Sequence, residues 1–242
     1  MAIFSHGYVE SLTSRSSRRF SLLSFSDNFR HNPKQEGSKF QSNLNRLLYR
    51  SLYNNGGNLI YAKASEGEDP DKVHGVYLCR GDVAPKDCQN CIDVASEQIL
   101  WVCPLRKQAI IWYDQSLVRY SNVPFVSTLD FSDYLIMRNT QTFHGQNNLR
   151  GFRVQCLINL TTQATSVYPN LKYAANSDEI TPFQKLYGMV QCLPDLSAAD
   201  CHTCLNSARS VIATLLSDDT SVPSGCRVLD LSCNLRYELF HS

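Results

Sequence analysis

The sequence predicts an α+β fold built twice in tandem. Three observations predict it. A cysteine pattern recurs at a fixed offset, each recurrence carries apolar residues at helical spacing, and short β-rich runs follow those helical stretches. Cys79, Cys88 and Cys91 are spaced C-x8-C-x2-C, and Cys192, Cys201 and Cys204 repeat that spacing 113 residues later. Gly75 and Gly188 keep the same offset. Leu117-Val118-Arg119-Tyr120 then resembles Asn234-Leu235-Arg236-Tyr237 at an offset of 117, four more than 113. A net insertion of four residues therefore lies in the second copy, between its CxxC and its last strand.

Taken in order, the chain opens with 36 residues rich in Ser and Arg, whose acids are Glu10, Asp27 and Glu36. A secretory leader needs an apolar run of about 7 to 15 residues. Phe20-Ser21-Leu22-Leu23-Ser24-Phe25 is shorter and broken by serines, and the composition is closer to an organelle transit peptide. Residues 1–36 are expected to be a disordered or misassigned segment outside the fold. Phe40, Leu44, Leu47, Leu48 and Leu52 then form the stripe of an amphipathic helix. Pro85 suits the first turn of a second helix, which carries Cys88, Cys91, Ile92, Ala95 and Ile99 on one face. Ala109–Tyr113 and Leu117–Tyr120 read as strands. In the second copy, Ser197 followed by Asp200 resembles a capping box with Asp in the acidic place. Cys201, Cys204, Leu205, Ala208, Ile212 and Leu215 continue that helix. Arg227–Leu231 and Leu235–Phe240 are the counterpart strands. The expected domains are 37–121 and 147–240, joined by a linker over 122–146.

Composition narrows the function. Among 242 residues, Lys+Arg is 23 and Asp+Glu is 22, a formal net charge of +1. Such a chain lacks the clustered cations that bind nucleic acid. No run of 18 apolar residues exists, so no membrane span is expected in this chain. There is no Gly-rich phosphate loop. Of the six histidines only His202 adjoins a cysteine, Cys201, so no Cys–His catalytic pair is expected. No enzyme activity, cofactor or metal is expected.

Ten cysteines admit three readings. Even number and repeated spacing in small domains favour disulfides. Cys79, Cys88, Cys91 and Cys103 could instead supply four thiolates to zinc, but structural zinc sites usually pair two short knuckles and each copy has one CxxC. A CxxC redox centre would need a thioredoxin-like βαβ context that this order of elements does not supply.

The cysteine repeat, Leu78-Cys79-Arg80-Gly81-Asp82, Trp112-Tyr113-Asp114, Leu117–Ser121, and Phe183–Gly188 through Pro194-Asp195-Leu196-Ser197 resemble the plant ginkbilobin-homologous, stress-antifungal domain. Two tandem copies resemble cysteine-rich repeat secretory proteins and the ectodomain of cysteine-rich receptor-like kinases. The resemblance implies two helices packed on a five-stranded antiparallel sheet in each domain. It implies a secreted, apoplastic, non-enzymatic role in defence or signalling, although no clear signal peptide is visible. The implied partners are a cell-wall or fungal carbohydrate, or an extracellular protein. The alternatives are an ectodomain fragment of a receptor-like kinase and a degenerate structural paralogue.

The resemblance also implies bridges Cys79–Cys88, Cys192–Cys201 and Cys204–Cys233. Both copies depart from the family's six cysteines. In the first, Ser116 occupies the last cysteine position and no cysteine precedes Phe40, so Cys91 and Cys103 lose their family partners. In the second, Cys226 stands where the family tends to have glycine and Cys156 lies within the first helix, so their pairing is open. Arg80-Gly81-Asp82 spells an adhesion tripeptide, read here as the turn before Pro85. Asn159-Leu160-Thr161 is an N-glycosylation sequon. In the ginkbilobin type, an Asn after the first cysteine, an Arg and a Glu bind mannose. Arg227 and Glu238 match the Arg and the Glu, six residues before and five after Cys233. The Asn finds no clear match, and the first copy has Ile110 and Ser121 instead. The bland alternative for Arg227 and Glu238 is a cross-strand ion pair on a sheet surface.

Overall fold

A computed structural model describes residues 20–23, 37–52, 59–130, 132–143, 149–168, 170–215 and 222–241. The chain divides into two compact units between Val126 and Ser127. Each unit is an antiparallel five-stranded sheet with two helices on one face.

The first unit contains β1 (Phe20–Leu23), helix α1 (Lys39–Arg46) running into a π-helical turn (Leu47–Ser51), β2 (Tyr61–Glu66), β3 (Val73–Cys79), α2 (Pro85–Val102), β4 (Gln108–Tyr113) and β5 (Ser116–Ser121). Its strand order is β1-β4-β5-β3-β2. Helix α1 starts where the Ser38 hydroxyl accepts the Gln41 N–H at 3.1 Å, which satisfies one otherwise orphaned donor. Pro85 occupies the first turn of α2, where its missing N–H costs nothing. Phe40, Leu44, Leu47, Leu48 and Leu52 meet Ile92, Ala95 and Ile99 from α2 over Tyr77, Ile111, Val118 and Tyr120 of the sheet. Each fully buried Leu or Ile contributes about 1.5–3 kcal/mol.

The second unit repeats the plan with β6 (Tyr134–Arg138), β7 (Thr142–Phe143), α3 (Leu149–Thr162) with a π-helical turn (Gln163–Val167), β8 (Tyr173–Thr181), β9 (Gln184–Cys192), α4 (Ala198–Leu215), β10 (Val222–Pro223), β11 (Gly225–Asp230) and β12 (Cys233–His241). Its sheet order is β6-β11-β12-β9-β8, and β7 pairs separately with β10. The Ser197 hydroxyl accepts the Asp200 N–H at 3.0 Å and donates to its carboxylate at 2.7 Å, at the start of α4.

The repeated glycine has a packing reason. A Cβ at Gly75 would lie 2.6 Å from Leu47 Cδ2, and one at Gly188 would lie 2.6 Å from Leu160 Cδ1. In both units the first helix rests on bare backbone of the sheet.

Two boundaries differ from expectation. Phe20–Leu23 lies within the 1–36 stretch set outside the fold, yet it pairs antiparallel with β4, Phe20 opposite Tyr113 and Leu23 opposite Ile110. The 122–146 stretch expected to be linker contains β6, which pairs with β11 from Tyr134 opposite Asp230 to Arg138 opposite Cys226. Both are edge strands added before the first helix. Both are short, Phe20–Leu23 broken by a serine and Tyr134–Arg138 a continuous apolar run ending in arginine, so neither shows the alternation that marks a strand. The rest of 1–36 lies outside the described residues.

Candidate functional site

Three disulfides fix the second helix of each unit to its sheet. Cys79 joins Cys88, Cys192 joins Cys201 and Cys204 joins Cys233, the pairs that the family resemblance implied. The first two clip the end of β3 or β9 to the first turn of the following helix. The third clips α4 to the start of β12. It has no counterpart in the first unit, where Ser116 faces Cys79 across the ladder and Cys91 Sγ lies 3.4 Å from Gln115 Oε1. Cys91, Cys103, Cys156 and Cys226 are outside any disulfide. Burial first, then the neighbouring Asp178, pushes the Cys156 thiol up to about 12. Burial pushes Cys226 up to about 12 against the pull of Arg138 and Arg153. Both thiols are therefore un-ionised at neutral pH and poor nucleophiles.

The zinc reading fails on the bonding, because Cys79 and Cys88 of its four thiolates are joined to each other. Among the described residues, Cys204, Asp230 and Cys233 are the one group with three potential ligand atoms within 4.8 Å of one another. Its two sulfurs are also bonded to each other. Asp230 serves the turn, its Oδ1 accepting the Ser232 N–H at 3.2 Å.

The Arg227 and Glu238 pair falls on the face of the second sheet opposite its helices. Register places Gly225 opposite Glu238 and Arg227 opposite Arg236. On the neighbouring strands, Met137 stands opposite Arg227, Met189 opposite Arg236 and Tyr187 opposite Glu238. Side chains alternate along each strand, so these residues share one face. Cys226 and Tyr237 point to the other, where buried Arg153 of α3 donates to the Tyr237 hydroxyl at 3.1 Å.

Glu238 has an ion-pair partner on its own strand. Arg236 Nε donates to Glu238 Oε1 at 3.1 Å, two residues along the same strand. Arg227 stands directly across from Arg236, and like charges so placed repel. A Cβ at Gly225 would collide with the Glu238 carboxylate, so the missing side chain makes room for it. Asn139 follows β6, its backbone N–H donating to Gly225 O at 2.9 Å and its Oδ1 accepting the Gln141 N–H at 3.1 Å. By alternation Asn139 lies on the Met137 side. One row across the sheet thus runs Asn139, Gly225, Glu238, Tyr187, and the next runs Met137, Arg227, Arg236, Met189.

Sequence reasoning did not single out Asn139, Arg236 or Tyr187, which neighbour Gly225, Arg227 and Glu238 in the sheet. The family's Asn is marked by a preceding cysteine, and Asn139 is preceded by Arg138. Arg236 and Tyr187 could have been found by alternation alone once Glu238 was chosen, since they lie two residues away and one strand over. Asn159 is exposed on α3, where it accepts from Gln155 Nε2 at 2.8 Å. Thr161 of its sequon is buried and donates to Leu157 O at 2.7 Å. Arg80 and Asp82 pair with each other in the turn before α2.

The chain matches the salt stress response/antifungal family over residues 26–123 and 138–239. It is 34% identical over 203 residues to cysteine-rich repeat secretory protein 38 of Arabidopsis thaliana, covering 84% of this chain and 78% of that protein. It is 35% identical over 204 residues to the antimicrobial ginkbilobin-2-like protein of Castanea crenata, covering 84% and 81%. Cysteine-rich receptor-like protein kinase 8 of Arabidopsis thaliana is 34% identical over 206 residues, and the match covers 84% of this chain but 30% of the kinase. The crystal structure of the tandem DUF26 ectodomain of the Arabidopsis thaliana receptor-like protein PDLP8 superposes with a TM-score of 0.72 at 22% identity, covering 97% and 98% of the two chains. No helix among the described residues is long and apolar enough to cross a membrane.

Proposed function

Because the chain belongs to the salt stress response/antifungal family, we propose that it is an extracellular, non-catalytic binding module whose second domain recognises carbohydrate. The observation that carries this reading is the placing of Asn139, Arg227 and Glu238 next to Gly225, whose missing side chain makes room for the Glu238 carboxylate. An amide, a guanidinium and a carboxylate offer donors and acceptors that fork onto vicinal hydroxyls. Asn139 supplies the amide that the sequence alone left without a match. The disulfides support a life outside the cell, since they persist in oxidising compartments.

A second reading has its own support. The chain spans less than a third of the receptor-like kinase it matches, so it also fits an ectodomain that engages an extracellular protein. Calorimetric titration of a mannose oligomer into the oxidised protein, with Arg227→Ala and Glu238→Ala beside it, separates the two. The glycan reading expects binding that each substitution weakens by about tenfold, the size of one or two hydrogen bonds to charged groups. Equal binding by all three proteins would put the sugar elsewhere. An absence of binding to any glycan would leave the protein-partner reading.

A further inference from the structure

Resting on the glycan reading, we infer that this face selects an acidic, uronate-type sugar through Arg236, with Tyr187 as the wall on which the ring stacks. Two guanidinium groups, Arg227 and Arg236, oppose each other directly across β11 and β12, and they share their two rows of the sheet with one carboxylate, Glu238. That carboxylate engages Arg236 through Nε, and the Arg236 side chain is still 34% exposed. Two cations against one anion make these rows net positive, and a ligand carboxylate eases the repulsion between opposed arginines. Guanidinium is the side chain suited to it, because its planar fork matches a carboxylate in bidentate fashion.

Tyr187 gives the ring a surface. It stands directly opposite Glu238 on β9 and is 43% exposed. Cross-strand neighbours sit about 5 Å apart, close enough for one sugar to touch both. The apolar face of a pyranose lies flat on such a ring while its hydroxyls reach Glu238, an arrangement common to sites that mix apolar walls with a few placed polar groups. The first domain has none of this: His74 holds the Tyr187 position and bonds Ser65 at 2.8 Å, and Ser121 holds the Glu238 position.

The test titrates three probes into the full chain: trigalacturonate, its fully methyl-esterified form, and mannotriose. The acid is expected to bind about tenfold or more tighter than its ester, the scale of one charge-assisted hydrogen bond, and to weaken as salt is raised. Arg236→Gln, which keeps a donor and removes the charge, is expected to abolish the acid's advantage over its ester. Tyr187→Ala is expected to weaken all bound probes, and Tyr187→Phe to restore them. Equal affinity for acid and ester, or tighter binding of mannotriose, would overturn the acidic selectivity while leaving the glycan reading intact. If none of the three binds, the glycan reading itself falls, and this inference with it.

Discussion

The two domains share a register and differ in what they carry on it. Strand for strand, Gln108, Ile110, Arg119 and Ser121 of the first sheet stand where Gly225, Arg227, Arg236 and Glu238 stand in the second. The first domain keeps the arginine but loses the carboxylate and the second guanidinium. Its Arg119 is buried and lies over the Phe125 ring at 4.1 Å, which gives the cation a π-face. The difference continues inside. Phe40 of the first core corresponds to Arg153 of the second at the repeat offset of 113, and Ala109 corresponds to Cys226 at 117. The first domain therefore reads as a packed scaffold with one bridge, and the second as a more polar, more bridged domain with a charged face. A repeated backbone can hold its register while the two copies carry different side chains on it.

The largest way to break that contrast is to remove the bridge that only the second domain has. Cys204→Ala with Cys233→Ala opens a loop spanning a sequence separation of 29. The chain-entropy relation puts the loss at about 3.6 kcal/mol. Limited proteolysis of the wild type should cut the first domain before the second, and the double variant should reverse or erase that order. Unchanged order would mean that the bridge does not set the difference in stability.

The converse experiment sharpens the contrast. Ser116→Cys places a sulfur near Cys91, at the position where Cys204 and Cys233 of the second domain bond with their Cα atoms 6.1 Å apart. A new bridge is expected, worth up to about 3 kcal/mol. Mass mapping without reductant should find the Cys91 peptide joined to the peptide that carries the substitution, with a higher unfolding midpoint for the first domain. Recovery of both sulfurs as thiols would show that the two domains are not equivalent there.

A smaller effect separates the cores by pH. Cys226 is raised in the fold to about 12 from an ordinary value of 9.0. Its contribution is fully present below about pH 9 and is lost as pH rises toward 12, because only the unfolded chain ionises in that window. The slope is about 1.4 kcal/mol per pH unit. Cys226→Ala, which installs the residue type of the first domain, should flatten the fall in stability between about pH 9 and 10 by up to that amount in denaturant titrations. Parallel slopes for the two proteins would mean that the thiol already ionises in the fold.

Much of this fold could be read from the chain, for physical reasons that also explain the remainder. The helices announced themselves through Phe40 to Leu52 and Cys201 to Leu215, where long apolar stripes are hard to mistake. The bridges followed from spacing plus family resemblance. The edge strands Phe20–Leu23 and Tyr134–Arg138 did not, because each is only four or five residues long and neither shows an apolar–polar alternation. The site was half legible. Arg227 and Glu238 were countable from Cys233, but Asn139 comes from another strand and meets them only through pairing with Gly225. The Arg236–Glu238 pairing is a matter of rotamers, which spacing does not encode.

If the sheet face of the second domain holds the ligand and the first domain has lost the means, one substitution should carry that loss across. Glu238→Ser converts the carboxylate to its first-domain counterpart, Ser121, at a partly exposed site, and also removes the acid paired with Arg236. Calorimetric titration of a glycan that binds the wild type into this single variant is the most direct measurement. A loss of about tenfold or more in affinity, in a protein that still unfolds in one cooperative transition, is the expected result. Unchanged affinity would contradict the proposed site and move it off this face.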